Sequence, residues 1–185
     1  NAADCGVPQK RERVFFCAVR DDIKAKPLEL KPQHRWISAG EACEDLQELT
    51  ALEKNETKPA PNDLKCWPNT KKGDDYSKWL VRSENRKACF NQYRIDDRKP
   101  SNTLSSTAGL YTHWDKCRTL TFREWKRLGS FPDDYQAKTD KIGKYMIGMS
   151  VPPKMTEQVA RAVCEQWLNV NYSELSNDNQ AKNPH

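Results

Sequence analysis

The sequence predicts an α/β chain, and within that class an α+β fragment without a complete Rossmann-like sheet. Three observations carry the expectation. Val14 to Val19 is a continuous run of six apolar residues, the pattern of a strand buried on both faces of a helix-covered sheet. No second run of that quality follows, so the strand's neighbours are expected on another chain or another part of the protein. Towards the other end, Met155, Val159, Val163 and Trp167 recur at spacings of four, with Ala160 and Cys164 beside them. That stripe predicts a helix of about fifteen residues docked along one face.

Composition bounds the rest. The chain has 185 residues, 36% hydrophobic and 31% charged, enough for one domain or one and a half with a modest core. No apolar run approaches the ~18 residues of a membrane span. The first twenty residues mix charged with apolar residues, unlike a signal peptide. The chain begins with Asn1 and not Met, so it is expected to be processed, excised from something longer, or written without its beginning. Net charge is +5, and residues 80–127 hold eleven Lys/Arg against five Asp/Glu. Phe90, Tyr93, Tyr111, Trp114, Phe122 and Trp125 are interleaved with that basic stretch, the footprint expected of a phosphate-binding surface. The seven cysteines are widely spaced, odd in number and without a Cys-x-x-Cys pair. They read as reduced thiols of a cytoplasmic protein, and no metal site is expected.

In chain order, Gly6 and Pro8 make a turn ahead of the apolar run. Gln9, Arg11 and Arg13 alternate, so an extended backbone places three long donors on one side, suited to a phosphate or a base edge. Residues 21–37 form a polar connector. Ser38 and Glu41 make a capping box, and Cys43, Leu46, Leu49 and Leu52 extend an amphipathic helix over residues 39–53. Residues 54–76 read as a long surface loop. Trp79 to Val81, Ala88 to Ile95 and Asn102 to Ser105 read as short strands joined by charged turns. The strongest local signal is Arg118 to Pro132. Thr121 is an N-cap with Glu124 three residues on, Leu120 and Trp125 can form a staple, and Phe122, Trp125 and Leu128 make an apolar stripe. Arg118, Arg123, Lys126 and Arg127 then point outward or bind partners inside the protein. Gly143 to Pro153 is expected to be a turn before the last helix, and residues 169–185 a frayed polar tail.

Three stretches in order resemble motifs of one family. Gly6-Val-Pro-Gln-Lys-Arg-Glu-Arg13 resembles the eighth motif of the DNA cytosine-5 methyltransferases, Gly-x-Pro-Gln-x-Arg-x-Arg. Arg118 to Pro132 resembles the ninth, Arg-x-Leu-Thr-x-Arg-Glu-x-x-Arg-Leu followed by Phe-Pro. Ile147-Gly-Met-Ser-Val-Pro-Pro153 resembles the tenth, Ile-Gly-Asn-x-Val-Pro-Pro. The resemblance covers roughly residues 1–168. It implies the C-terminal strand and closing helix of a class I S-adenosylmethionine-dependent methyltransferase plus a small, mixed target-recognition domain. Residues 1–34 would end the catalytic domain, 35–138 would form the target-recognition domain, and 139–168 would return to the catalytic domain.

The resemblance also implies roles. Arg13 would hold a flipped cytosine, Arg11 the adjoining backbone, and Gln9 would orient them. Pro100-Ser-Asn-Thr-Leu104 resembles the family's Pro-Ser-x-Thr-Leu element, which gives Thr103 a phosphate beside the flipped base, with Leu104 packed beneath. Arg82, Arg86, Gln92, Arg94 and Arg98 are the candidate base readers, since Arg paired with guanine is the commonest specific major-groove contact. Arg123 joins the DNA-contacting set. The backbone of Gly148, Met149, Ser150 and Val151 would wall the S-adenosylmethionine pocket, with Met149 standing where the family has Asn.

The family's chemistry also needs a Pro-Cys nucleophile and a Glu-Asn-Val acid. No cysteine here follows a proline, and Glu84-Asn85 is followed by Arg86. The glycine-rich cofactor turn is absent too. The expectation is therefore the DNA-recognition part of a prokaryotic or phage cytosine-5 methyltransferase, partnered by double-stranded DNA and an N-terminal catalytic chain or domain, and inactive alone. A sequence-specific DNA-binding module without a catalytic role is the alternative. An interaction protein meeting an acidic partner would leave the three ordered motifs unexplained.

Overall fold

The computed structural model describes residues 1–31, 35–46, 48–85 and 92–168. Its centre is the helix α5, Phe122–Leu128. The Thr121 side chain accepts from the Glu124 amide, and the Glu124 carboxylate accepts from the Thr121 amide at 2.8 Å, so the capping box closes in both directions. Leu120 and Trp125 are both fully buried, as a staple requires. Around Trp125 the core gathers Ile95, Leu104, Tyr111, Trp114, Leu128 and Ile147. Tyr111 meets Trp125 edge-on, with centroids 5.6 Å apart.

The region ahead of α5 differs from the sequence expectation. Residues 39–53 do not form one helix. α1, Ala39–Ala42, ends at once, and α2, Ala51–Glu56, starts afresh on a second capping box between Thr50 and Glu53. The expected loop 54–76 contains α3, Pro61–Cys66, and a short 3-10 turn, Trp67–Asn69. Pro61 is preset for the first helical turn, and the Asp63 carboxylate accepts from the Ala60 amide at 2.9 Å. The expected strand at Trp79 to Val81 lies within the helix α4, Tyr76–Glu84, whose N-cap Asp75 accepts from the Lys78 amide. Leu80 and Tyr76 point the same way and bury against Cys66.

Strand structure is slight. β1, Tyr93–Arg94, pairs in parallel with β2, Tyr111–Thr112, and this is the two-stranded sheet of the described residues. Of the expected strand 88–95, residues 88–91 lie outside the described residues. Asn102 to Ser105 forms no strand, although Ser101 beside it bridges to Gln9 in parallel.

The tenth-motif region holds a helix where a turn was expected. α6, Asp140–Met149, takes in both glycines, and the turn shrinks to residues 150–152. The glycines serve close approach instead. A Cβ on Gly143 would collide with the Phe122 ring, and one on Gly148 with the Ser105 carbonyl. α7, Pro153–Trp167, is the expected fifteen-residue helix. Its Met155 is buried with Ala2 and Val7 of the N-terminal segment, with Phe15 packed against them.

The run Val14 to Val19 is the largest departure. It carries no helix or strand; Val14 is 79% exposed and Phe16 97% exposed. A strand needs a neighbouring backbone to take its hydrogen bonds, and the described residues offer none there. The fold is thus a mixed helix–strand fragment, not a complete sheet. Among the described residues no helix is long and apolar enough to cross a membrane.

Candidate nucleic-acid interface

Residues 8–13 run beside residues 101–104. Lys10 donates its amide to the Ser101 carbonyl at 2.8 Å, and Ser101 returns one to Pro8 at 2.9 Å. Thr103 is exposed, and its hydroxyl donates to the Lys10 carbonyl at 2.7 Å. Leu104 beneath it is fully buried, as expected.

The three alternating donors part company here. Gln9 is buried, donating to the Leu128 carbonyl at 3.2 Å and accepting from the Leu104 amide at 3.1 Å. Arg11 is 3% exposed. Its guanidinium donates to the Leu104 carbonyl at 2.7 Å and to the Gly148 carbonyl at 2.6 Å, and its Nε is buried without a partner among the described residues. Burial, with the Arg13 charge adding to it, pushes the guanidinium below its ordinary pKa. Arg13 alone faces solvent, held by one hydrogen bond to the neighbouring Glu12 carbonyl. Gln9 and Arg11 therefore tie three segments together, and Arg13 is the donor left open to a ligand.

Much of the basic stretch is spent inside the protein. Arg94 lies 3.8 Å over the Trp67 ring and donates to the carbonyls of Trp114, Thr70 and Trp67. Arg123 pairs with Glu53 at 2.7 Å and also donates to the Glu48 carbonyl. Arg118 forms a fork with Glu124, at 2.7 and 2.9 Å, with both residues buried. Arg127 pairs with Asp45 and Asp133. Lys126 donates to the Asp133 carbonyl, and Lys144 to the Leu120 carbonyl at 2.8 Å. The four cations of the ninth motif thus bind partners inside the protein. Arg98 is exposed and paired with Asp96, whose carboxyl the Arg98 guanidinium holds down at about 2. Gln92 accepts from the Asn62 side chain at 3.2 Å. Arg82 is exposed on α4 and has no ion pair among the described residues. Arg86 lies outside the described residues.

Gly148 is buried, whereas Met149 is 62% and Val151 38% exposed. Residues 149–151 thus expose two apolar side chains on either side of Ser150, whose hydroxyl donates to the Ile147 carbonyl at 2.8 Å. Among the described residues no group of three or more His, Cys, Asp and Glu could hold a metal ion. The thiols of Cys5, Cys43 and Cys117 are all pushed up by burial, the opposite of an activated nucleophile.

Compared with solved structures, the chain matches a crystal structure described as a DNA modification methyltransferase encoded within an E. coli prophage. The TM-score is 0.58 at 20% identity, over 91% of this chain and 58% of that one. The two share a fold over that stretch. The model of the C-5 cytosine-specific DNA methylases matches residues 1–165, and the chain belongs to that family.

Relatives include the type II methyltransferase M.BbvI of Brevibacillus brevis, 29% identical over 92% of this chain and 49% of its own length. M1.HphI of Haemophilus parahaemolyticus is also 29% identical, over 91% of this chain and 47% of its own. The chain spans about half the length of these relatives. M.AquIB of Picosynechococcus differs in proportion: 29% identity over 68% of this chain spans 96% of that protein.

Proposed function

We propose that this chain is the DNA-recognition and cleft-completing part of a DNA cytosine-5 methyltransferase, with the catalytic cysteine and glutamate on a companion chain or a preceding part of the same protein. The observation that carries this reading is the exposed apolar run Val14 to Val19, directly after the eighth motif. Such a run is suited to a sheet, and the described residues contain no sheet for it. That a curated type II methyltransferase is spanned almost end to end by a match to this region supports a separate chain as the arrangement. In this reading residues 1–34 and 139–168 complete the catalytic domain, and residues 35–138 read the DNA.

In the proposed complex, Arg13 reaches the flipped cytosine, and the Thr103 hydroxyl turns its one proton from the Lys10 carbonyl to a phosphate beside it. Flipping is required because the reacting ring carbons are not accessible inside a stacked duplex. Arg82 and Arg98, both exposed, are the described arginines placed to meet bases or phosphates. Arg94 and Arg123 act instead by holding the recognition region's shape. S-adenosylmethionine, when bound, supplies the methyl group as a sulfonium substituent. Residues 149–151 would cover one side of it and exclude water.

The test is transfer of labelled methyl from S-adenosylmethionine to duplex DNA, by this chain alone and by this chain with its companion. Transfer only by the mixture is the expected result. Transfer by the chain alone would overturn the argument from the missing Pro-Cys. Sequence-specific binding with no transfer under any partner would leave the binding module, to which the Met149 departure also points.

A further inference from the structure

Arg11 stands at the junction of the three segments that the proposed function uses, and it touches all of them. It belongs to the Pro8–Arg13 strip that carries Arg13. One of its terminal nitrogens holds the carbonyl of Leu104, the residue after Thr103. The other holds the carbonyl of Gly148, the residue before the edge 149–151. Gln9 reinforces the first link through the Leu104 amide, and the Gly148 backbone packs directly on the Ser105 carbonyl. No carboxylate partners the buried guanidinium among the described residues. A buried cation held only by neutral carbonyls is costly. Its forked geometry, however, fixes two backbone segments at once, which a lysine cannot reproduce.

We propose that Arg11 is a positioning residue that couples DNA binding to cofactor binding, by making the Thr103 segment and the 149–151 edge move as one body. A phosphate captured by Thr103 fixes residues 101–105. Through the two carbonyls on one guanidinium, that fixes the turn after Gly148, so the cofactor edge is already ordered when its ligand arrives. Coupling of this kind is reciprocal: the cofactor tightens DNA binding by the same factor as DNA tightens the cofactor. The proposal rests on the functional reading above, because both ligands must bind the assembled enzyme.

The experiment uses the assembly of this chain with its companion. Calorimetry would measure S-adenosylhomocysteine with and without a cognate duplex, and the duplex with and without S-adenosylhomocysteine. The expected wild-type result is mutual tightening of at least about fivefold. In Arg11→Lys, each ligand alone should bind within about threefold of wild type, while the mutual tightening falls to near unity. A merely structural role would lower the melting temperature and weaken both ligands while leaving the tightening intact, and that result overturns the proposal.

Hydrogen exchange on the wild-type assembly gives a second reading that needs no variant. Adding duplex without cofactor should slow the amides of residues 147–151. Protection confined to residues 9–13 and 101–105 would overturn the coupling. Methyl transfer by a wild-type assembly that shows no tightening would also sink the coupling alone. Absence of transfer by that assembly would sink the functional reading and the coupling with it.

Discussion

Glu124 is 2% exposed and carries its charge into the core, so its surroundings decide how the protein meets acid. Burial alone would raise its pKa, but the Arg118 fork more than offsets this and holds the carboxyl below its ordinary range. His113 lies 3.6 Å away, and its Nδ1 accepts from the amides of Asp115 and Lys116, so the ring is neutral. Burial, then the Arg118 charge, pushes its pKa down from 6.5 to about 4. Between those values the unfolded chain binds a proton that the folded one does not, so stability falls as pH falls through the window. Glu124 acts in the same direction, its contribution being lost as pH drops through its depressed folded value. Denaturant titrations at pH 7 and pH 5 should differ by about 2 kcal/mol on account of His113. His113→Asn should flatten that slope, and an unchanged slope would show that the imidazole is not responsible. None of this was legible beforehand. The sequence displays Arg94, Arg118 and Arg123 as charge, and says nothing of the carbonyls and carboxylates that consume it. A short motif names Arg13 and Thr103 one by one, and both are exposed, whereas the inward turn of Gln9 and Arg11 depends on Leu104 and Gly148, more than ninety residues away.

At the scale of elements, local chemistry was readable where a cap and a stripe agree. Thr121, Glu124 and the Phe122–Trp125–Leu128 stripe give α5, and the stripe from Met155 gives α7. Thr121→Ala should cost about 1 kcal/mol in the same titrations, and more than that if the freed Glu124 carboxylate also loosens from Arg118. The reading failed where short apolar groups allow two periods. Trp79, Leu80 and Val81 fit a strand, but Asp75 caps them into a helix. Residues 39–53 have a helical spacing, yet Thr50 restarts the chain with a better cap. Gly143 and Gly148 read as turn residues, because a glycine that permits close packing inside a helix looks the same in a sequence as one that ends it.

At the scale of the whole molecule, the +5 net charge now bears on fewer free cations than the sequence suggested. With Arg94, Arg118, Arg123 and Arg127 internally engaged, Lys10, Arg13, Arg82 and Arg98 are the clearest candidates for phosphates. About four contacts predict a fall in DNA affinity of roughly a hundredfold between 50 and 200 mM salt, where six or more would give about a thousandfold. Fluorescence anisotropy across that range distinguishes the two. The missing sheet makes a further prediction with opposite signs. The chain alone should aggregate through this run, Phe16→Glu should keep it in solution, and in the proposed assembly the same change should abolish methyl transfer. Sedimentation of the first and a transfer assay of the second check it, and a variant that still supports transfer would remove the apolar run from the proposed junction.

In the proposed two-chain arrangement, the same run bears on how a cell would keep the chain in proportion to its companion. An apolar segment with Phe16 and Val14 exposed is what chaperones hold and proteases cut, and covering it removes the signal. A copy made in excess would be short-lived, and a paired copy long-lived. Under the proposed arrangement, the amount of methylating enzyme would then follow the scarcer chain without any dedicated regulator.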